Sequence, residues 1–252
     1  MLEVNLKGRT ALITGASRGL GKAMAVALAS AGARLALVSR DVAALNAVAG
    51  EARNHGSEVE TYRADVTDNA QVEDLARTVT SRFGPVHILI NNAGINVRKN
   101  VEDFTVAEWN SVIATNLTSA FLMCRSFVPH MKGQGYGRII NMTSIMSHIS
   151  LPGRAAYSAS KAGLLGMTKA LALELAPDGI CVVAISPGPC ATEMNLPLIN
   201  DPEKNAQFIA SIPVGRWGKV EEIGSLALFL CSDHAAFITG TDILIDGGWC
   251  AR

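Results

Sequence analysis

Thr10-Ala11-Leu12-Ile13-Thr14-Gly15-Ala16-Ser17-Arg18-Gly19-Leu20-Gly21 is the stretch that decides the fold. A short apolar run ends in a glycine-rich turn and passes directly into a helical pattern that extends from Leu20 to Ala31. Glycine lets the backbone turn tightly and approach a ligand closely. A helix N-terminus adds free N–H groups and the positive end of its dipole. After a buried strand, Gly15, Ser17, Arg18, Gly19, Leu20 and Gly21 therefore read as a cradle for the pyrophosphate of a dinucleotide. Without the strand the same glycines would be a plain turn.

Moving outward, the strand-then-helix grammar repeats. Apolar runs recur at Thr10–Ile13, Leu35–Val38, Val59–Arg63, Val86–Ile90, Arg138–Asn141, Ile180–Ile185 and Asp242–Ile245. Most are continuous rather than alternating, as strands buried on both faces are. Helical patterns fall near Leu20–Ala31, Asp41–His55, Asn69–Arg82, Val106–Met131, Ala156–Leu175 and Val220–Cys231, with Thr105-x-x-Glu108 as a capping box. Strands alternating with helices predict an α/β fold: a doubly wound, seven-stranded parallel sheet with helices on both faces, residues 1–252 forming one domain. Asn116 interrupts the fourth helical pattern, where a poor helix former marks a bent turn or a buried amide satisfied by backbone. The stretch Pro187–Pro213 carries five prolines and reads as irregular, with a substrate lid at about 188–215.

Composition narrows the function. Lys plus Arg number 22, as do Asp plus Glu, so no charge excess points to nucleic acid or an anionic membrane. The apolar fraction of 49% allows a large core. Cys124, Cys181, Cys190, Cys231 and Cys250 lack metal-ligand spacing, which suits free thiols in a cytoplasmic protein rather than disulfides or a metal site. No signal core or membrane span is expected.

The strand ends carry the remaining cofactor readings. Ser39 and Arg40 close the second strand, where an acid would grip the ribose hydroxyl of NAD; Ser39 leaves room and Arg40 adds charge, favouring NADP with NAD as the alternative. Arg40 as a solvated charge, with Asp41 capping the next helix, is the plainer reading. Asp65 and Val66 follow the third strand, and Asn91, Asn92, Ala93 and Gly94 follow the fourth, where ligands of open α/β sheets lie.

Downstream, Ser144-Ile-Met-Ser-His148-Ile-Ser-Leu-Pro-Gly-Arg154-Ala-Ala-Tyr157-Ser-Ala-Ser-Lys161 sets Tyr157 and Lys161 four residues apart, on one helix face. A neighbouring ammonium favours phenolate, which would bring Tyr157 toward the working range of an acid/base. So short a pair also arises by chance.

Taken together, Thr14–Gly21, Asp65, Asn91–Gly94, Asn116, Ser144, Tyr157-x-x-x-Lys161, Pro187-Gly188 with Thr192, and Asp246-Gly247-Gly248 resemble the short-chain dehydrogenase/reductase family over essentially the whole chain. The resemblance implies Tyr157 as proton donor or acceptor, Ser144 as holder of the substrate oxygen, Lys161 on the nicotinamide ribose lowering the Tyr pKa, and Asn116 anchoring a water relay. It also implies nicotinamide contacts from Thr192 and the Cys190 backbone, and a homotetramer acting on a small molecule. The tail from Asp246, the segment Ile212–Gly218 and Gly94–Arg98 look like the sugar-acid branch, gluconate dehydrogenases among them. Arg98 and Arg154 are candidates for a substrate carboxylate, each with a plainer reading as a surface charge; His148 is a candidate to face the pocket, a satisfied or exposed histidine being the plainer reading, and Met194 is an apolar candidate from the lid. A 3-oxoacyl-carrier-protein reductase is the alternative, weakened because the arginines that dock its carrier are replaced at Leu173 and in the Gly133–Gly135 region. Reduction of a hydrophobic ketone and a non-catalytic cofactor-binding scaffold are the other two readings.

Overall fold

The computed structural model describes residues 4–251; the side chain of Met194, expected near the substrate, lies outside what is described. The apolar runs form strands β1 (Thr10–Thr14), β2 (Arg34–Ser39), β3 (Val59–Arg63), β4 (Ile88–Asn91), β5 (Gly137–Met142), β6 (Ile180–Pro187) and β7 (Asp242–Ile245). They join in one parallel sheet ordered β3-β2-β1-β4-β5-β6-β7. The helices are α1 (Gly19–Ser30), α2 (Val42–Arg53), α3 (Asn69–Phe83), α4 (Val106–Ile113), α5 (Ser119–Met131), α6 (Ala155–Leu175), α7 (Leu196–Ile199), α8 (Pro202–Ala210) and α9 (Val220–Leu230).

Strand side chains alternate between two cores, because successive residues point to opposite faces. Ala11, Ile13, Leu35, Leu37, Ile88 and Ile90 share one core with α1, α2 and α9. Leu12, Ala36, Val38, Leu89, Ile139 and Val182 share the other with α3, α5 and α6. Burial on both faces is the reason the runs are continuous in sequence.

Two expectations change. The single helix predicted from Val106 to Met131 is α4 and α5 joined by a π turn, Ala114–Thr118, centred on Asn116. By length and composition alone this 26-residue stretch, with an apolar window of mean hydropathy 1.2, is long and apolar enough to cross a membrane, yet 44% of that window is buried inside the fold, with α5 against α3 and the π turn against α6. The stretch after β6, predicted irregular, contains α7 and α8. Asp201 caps α8 by accepting from the Lys204 N–H at 3.2 Å, with Pro202 at the first helical position, a start signal that was present in the sequence. Strand ends otherwise move by one or two residues, β4 starting at Ile88 rather than Val86.

The capping box at α4 forms as expected: the Glu108 N–H donates to Thr105 Oγ1 at 3.1 Å and the Thr105 N–H to Glu108 Oε2 at 3.0 Å. Thr105→Ala should lower stability by about 1 kcal/mol, seen as a lower urea midpoint with an unchanged slope.

Candidate active site

Strand order reverses between β1 and β4, and the C-terminal ends of the strands open there into a cavity of about 740 Å³. Gly15, Ser17, Arg18, Gly19, Leu20, Ser39, Arg40, Asp65, Val66, Asn92, Ala93, Gly94, Ser144, Tyr157, Lys161, Pro187, Gly188, Cys190 and Thr192 all line it. Gly21 does not. It sits behind the loop, where a Cβ would come within 2.3 Å of the Gly15 carbonyl oxygen. Its task is to let α1 close on the loop.

The glycine loop is built to take an anion. Gly15 and Gly19 adopt φ of 62° and 54°, left-handed values that favour glycine. Asn92 Nδ2 donates to the Thr14 and Gly15 carbonyls at 2.9 and 3.0 Å, and Thr14 Oγ1 accepts from the Asn92 and Ala93 N–H groups at 3.0 and 3.1 Å. These bonds fasten the loop to the end of β4. Asp41 and Asp68 cap α2 and α3, whereas α1 has no side-chain cap and no acid in its first turn. Its N–H groups remain available to a phosphate, so a dinucleotide fits this end of the cavity.

At the tip of β2, Ser39 Oγ donates to Ser17 Oγ at 3.1 Å, and Arg40, 71% exposed, lies 3.7 Å from Asp65. Asp41 does cap α2. Asp65 Oδ1 is occupied by the Thr67 N–H and hydroxyl at 3.0 and 2.7 Å, bonds that, with Arg40, hold its carboxyl below the usual range despite burial. Arg18 faces Glu193 across the cavity mouth at 3.5 Å.

Tyr157 and Lys161 stand one turn apart on α6, beside Ser144 at the end of β5. Lys161 is 4% exposed; its Nζ donates to the Met142 carbonyl at 2.6 Å and lies 5.6 Å from the centre of the Tyr157 ring. Burial brings its pKa down to about 8. An ammonium carries three donors, and the Met142 carbonyl is its one hydrogen-bond partner among the described residues. Its neighbour Gly94 has no side chain to crowd it: a Cβ there would sit 3.6 Å from Nζ. A ribose with two hydroxyls matches this donor set.

The expectation that Lys161 lowers the Tyr157 pKa is not met. Burial raises it above the usual tyrosine value, opposed first by a hydrogen bond with Ser144 and then by the positive charges of Arg154 and Arg98. Asn116 is 1% exposed and its amide is fully engaged: Oδ1 accepts from the Ile95 N–H at 2.8 Å, and Nδ2 donates to the Ile95 carbonyl at 2.9 Å and to Ser160 Oγ at 3.0 Å. The reading of a buried amide satisfied by backbone is therefore the correct one for its side chain. A water relay would have to use its backbone carbonyl. The Cys190 carbonyl likewise accepts from the Thr192 N–H and Asn195 Nδ2, both at 2.9 Å, so a nicotinamide contact from the Cys190 backbone would fall to its N–H.

Arg98 and Arg154 both line the cavity near Tyr157. Partial burial, then the like charge of Arg98, lowers the Arg154 pKa, and among the described residues neither guanidinium pairs with a carboxylate. His148 is a correction: it turns away from the cavity and places Nε2 2.5 Å from Asp242 Oδ2. Sequence reasoning missed Asn96, Phe208 and Trp249, which also line the cavity. Trp249 arrives because Gly247 and Gly248, with φ of 64° and 86°, fold the chain back over Pro213; those paired glycines were the available signal.

The chain is similar to known proteins over nearly its full length. A family model described as enoyl-(acyl carrier protein) reductase matches residues 15–250. Gluconate 5-dehydrogenase of Gluconobacter oxydans is 36% identical over 97% of this chain and 95% of its own. Acetoacetyl-CoA reductase of Rhizobium meliloti is 44% identical over 95% of this chain and 98% of its own. A crystal structure from Beutenbergia cavernae, described as an NAD(P)-dependent gluconate 5-dehydrogenase with bound NADP at low occupancy, superposes with a TM-score of 0.94 at 37% identity, covering 100% of both chains.

The buried Lys161 yields a stability prediction. Between about pH 8 and the ordinary lysine value of 10.5 the unfolded chain binds the proton that the folded chain gives up, so the penalty of burying this charge is full below pH 8 and fades above it. Lys161→Met should be more stable than wild type at pH 7 by on the order of 2–3 kcal/mol, the gain shrinking by pH 10. Urea unfolding of both proteins at the two pH values measures it.

Proposed function

The chain belongs to the short-chain dehydrogenase/reductase family of oxidoreductases, and we propose that it transfers a hydride between NADP and the carbonyl or secondary alcohol of a small substrate that bears a carboxylate, a sugar acid or related hydroxy acid. The observation that carries this reading is the pair of guanidiniums, Arg98 and Arg154, left without a carboxylate partner near the Tyr157 phenol. Arg98 is exposed and Arg154 half-buried, and their like charges repel each other. A bound carboxylate would relieve that repulsion and form charge-assisted hydrogen bonds.

When bound, the nicotinamide would supply or accept the hydride. Lys161 would hold its ribose through the donors left over from Met142, and the loop Gly15–Gly21 its pyrophosphate. In the reducing direction Tyr157 gives its phenolic proton to the oxygen of the reacting carbonyl, and Ser144 holds that oxygen as negative charge builds on it. In the oxidising direction Tyr157 takes the proton back. Arg98 and Arg154 orient the far end of the substrate, so that the reacting carbon faces the nicotinamide. Arg40, exposed at the β2 tip with no acid at Ser39, supports NADP, as does the NADP in the Beutenbergia cavernae relative. The lid at about 188–215 would close through α7 and α8, where Phe208 stacks on Trp217 with ring centres 5.3 Å apart.

Reduction of a 3-oxoacyl thioester is the second reading, supported by the likeness to an acetoacetyl-CoA reductase. For a carrier-bound thioester, Leu173 counts against it: where a docking arginine is expected, α6 presents an apolar side chain that is 82% exposed.

A panel of sugar acids, acetoacetyl thioesters and uncharged ketones, each tested with both nicotinamides, discriminates the readings. Highest kcat/KM on a carboxylate with NADP is expected; turnover confined to the thioester would replace this proposal, and cofactor binding without any turnover would point to a scaffold. Arg154→Ala and Arg98→Ala should each raise KM for the carboxylate about tenfold or more, since a hydrogen bond to a charged group contributes about 1.5–3 kcal/mol, with little change on an uncharged ketone. Tyr157→Phe should lose at least roughly two orders of magnitude in kcat while cofactor affinity, read by fluorescence titration, stays close to wild type.

A further inference from the structure

The side of Ser144 turned away from the cavity rests on a polar cluster that the chemistry above leaves unused. Asp242 of β7 has a carboxylate whose side chain is 6% exposed. Its Oδ2 lies 2.5 Å from His148 Nε2 and 2.7 Å from Ser186 Oγ, and its Oδ1 lies 3.4 Å from Thr143 Oγ1. Ser186 Oγ is in turn 3.0 Å from the Ser144 carbonyl oxygen, which also accepts from the Ser147 N–H at 2.8 Å. His148 enters this cluster from the turn that Ser144 itself begins.

Counting protons shows why the imidazole is needed. A hydroxyl has one proton to donate, and an ionised carboxylate has none. Thr143 Oγ1 has a close acceptor in the Ile185 carbonyl at 2.7 Å. Ser186 then faces three acceptors, the Asp242 carboxylate, the Ser144 carbonyl and, at 2.9 Å, Thr143 Oγ1, with a single proton. An N–H from His148 satisfies Asp242 Oδ2 and leaves the Ser186 proton for Ser144. A buried carboxylate without such a donor would draw the hydroxyl to itself.

We propose that Asp242, His148 and Ser186 form a positioning brace that fixes the Ser144 turn from behind. The catalytic hydroxyl depends on that turn. Ser144 Oγ accepts from the Met146 N–H at 3.2 Å, a bond within the same turn, which leaves its own proton for Tyr157 or the substrate oxygen. Groups that stabilise a developing charge must hold their place to about 0.5 Å, and a displacement of about 1 Å costs on the order of a hundredfold. Asp242 is contributed by the last strand of the sheet, so the brace ties the reacting group to the far end of the chain.

The test is a mutant cycle with Ser144, using the most active carboxylate of the panel. Asp242→Asn and Ser186→Ala should each lower kcat about tenfold, with KM for the nicotinamide unchanged. His148→Gln, whose amide N–H can replace the imidazole donor, should stay within about threefold of wild type, and His148→Leu should fall with Asp242→Asn. In a Ser144→Ala background the brace variants should cost less than about twofold more, because residues acting as one unit are not additive. Equal losses in both backgrounds, or wild-type kcat in Asp242→Asn and Ser186→Ala, would overturn the proposal.

A second readout needs neither substrate nor turnover and so is separate from the proposed reaction. The titration of Tyr157, taken as the absorbance difference from Tyr157→Phe, should move upward in Ser186→Ala to the value found in Ser144→Ala. No movement would reject the brace. Ser186→Ala keeps the Asp242–His148 pair and carries both measurements should Asp242→Asn fail to fold.

Discussion

Burying the Lys161 ammonium is the constraint on which the site depends. A cation 4% exposed with one carbonyl partner among the described residues is a liability in a stable core. On the proposed function its unused donors serve a ligand, and three segments keep it in place: β5 contributes the Met142 carbonyl, α6 the lysine, and the loop after β4 the side-chain-free Gly94. Stability is given up at the point where binding and proton transfer are proposed to meet, as is common at functional sites.

Around that cation the protein uses amides rather than charges as fasteners. Asn92 ties the glycine loop to the end of β4, and Asn116 ties Ile95, in the loop after β4, to the π turn. In the core, Asn91 donates to Asn141, and Asn141 to Thr168, each at 2.9 Å, linking β4, β5 and α6. An amide both donates and accepts, so it can satisfy buried backbone on either side without the desolvation cost of an ion pair. The π turn follows from this. It adds one residue to the ladder so that Asn116 can reach Ile95 instead of continuing the regular helix.

The electrostatics of the phenol are divided among elements that are distant in the chain. Tyr157 is raised by burial and pulled back by Ser144, Arg154 and Arg98. Ser144 lies at the end of β5, Arg98 in the loop after β4, and Arg154 just ahead of α6. The same two arginines proposed to hold a carboxylate also favour the phenolate, so on that proposal recognition of the substrate's far end would be coupled to the acidity of the group acting at its near end.

The sequence by itself determined the parallel doubly wound sheet, the glycine cradle and the Tyr157–Lys161 face, because each is local: apolar runs, helix periodicity and a spacing of four all act between neighbours in the chain. The capping box at Thr105 was legible for the same reason. Tertiary structure alone decided that His148 turns to Asp242, that the Asn116 amide clamps Ile95, that Trp249 lines the cavity, and that burial holds the Tyr157 pKa up where the lysine was expected to lower it. Each of those outcomes depends on which distant strand or turn lies within hydrogen-bond reach and on how much water the packing removes, and neither quantity is carried by residue order.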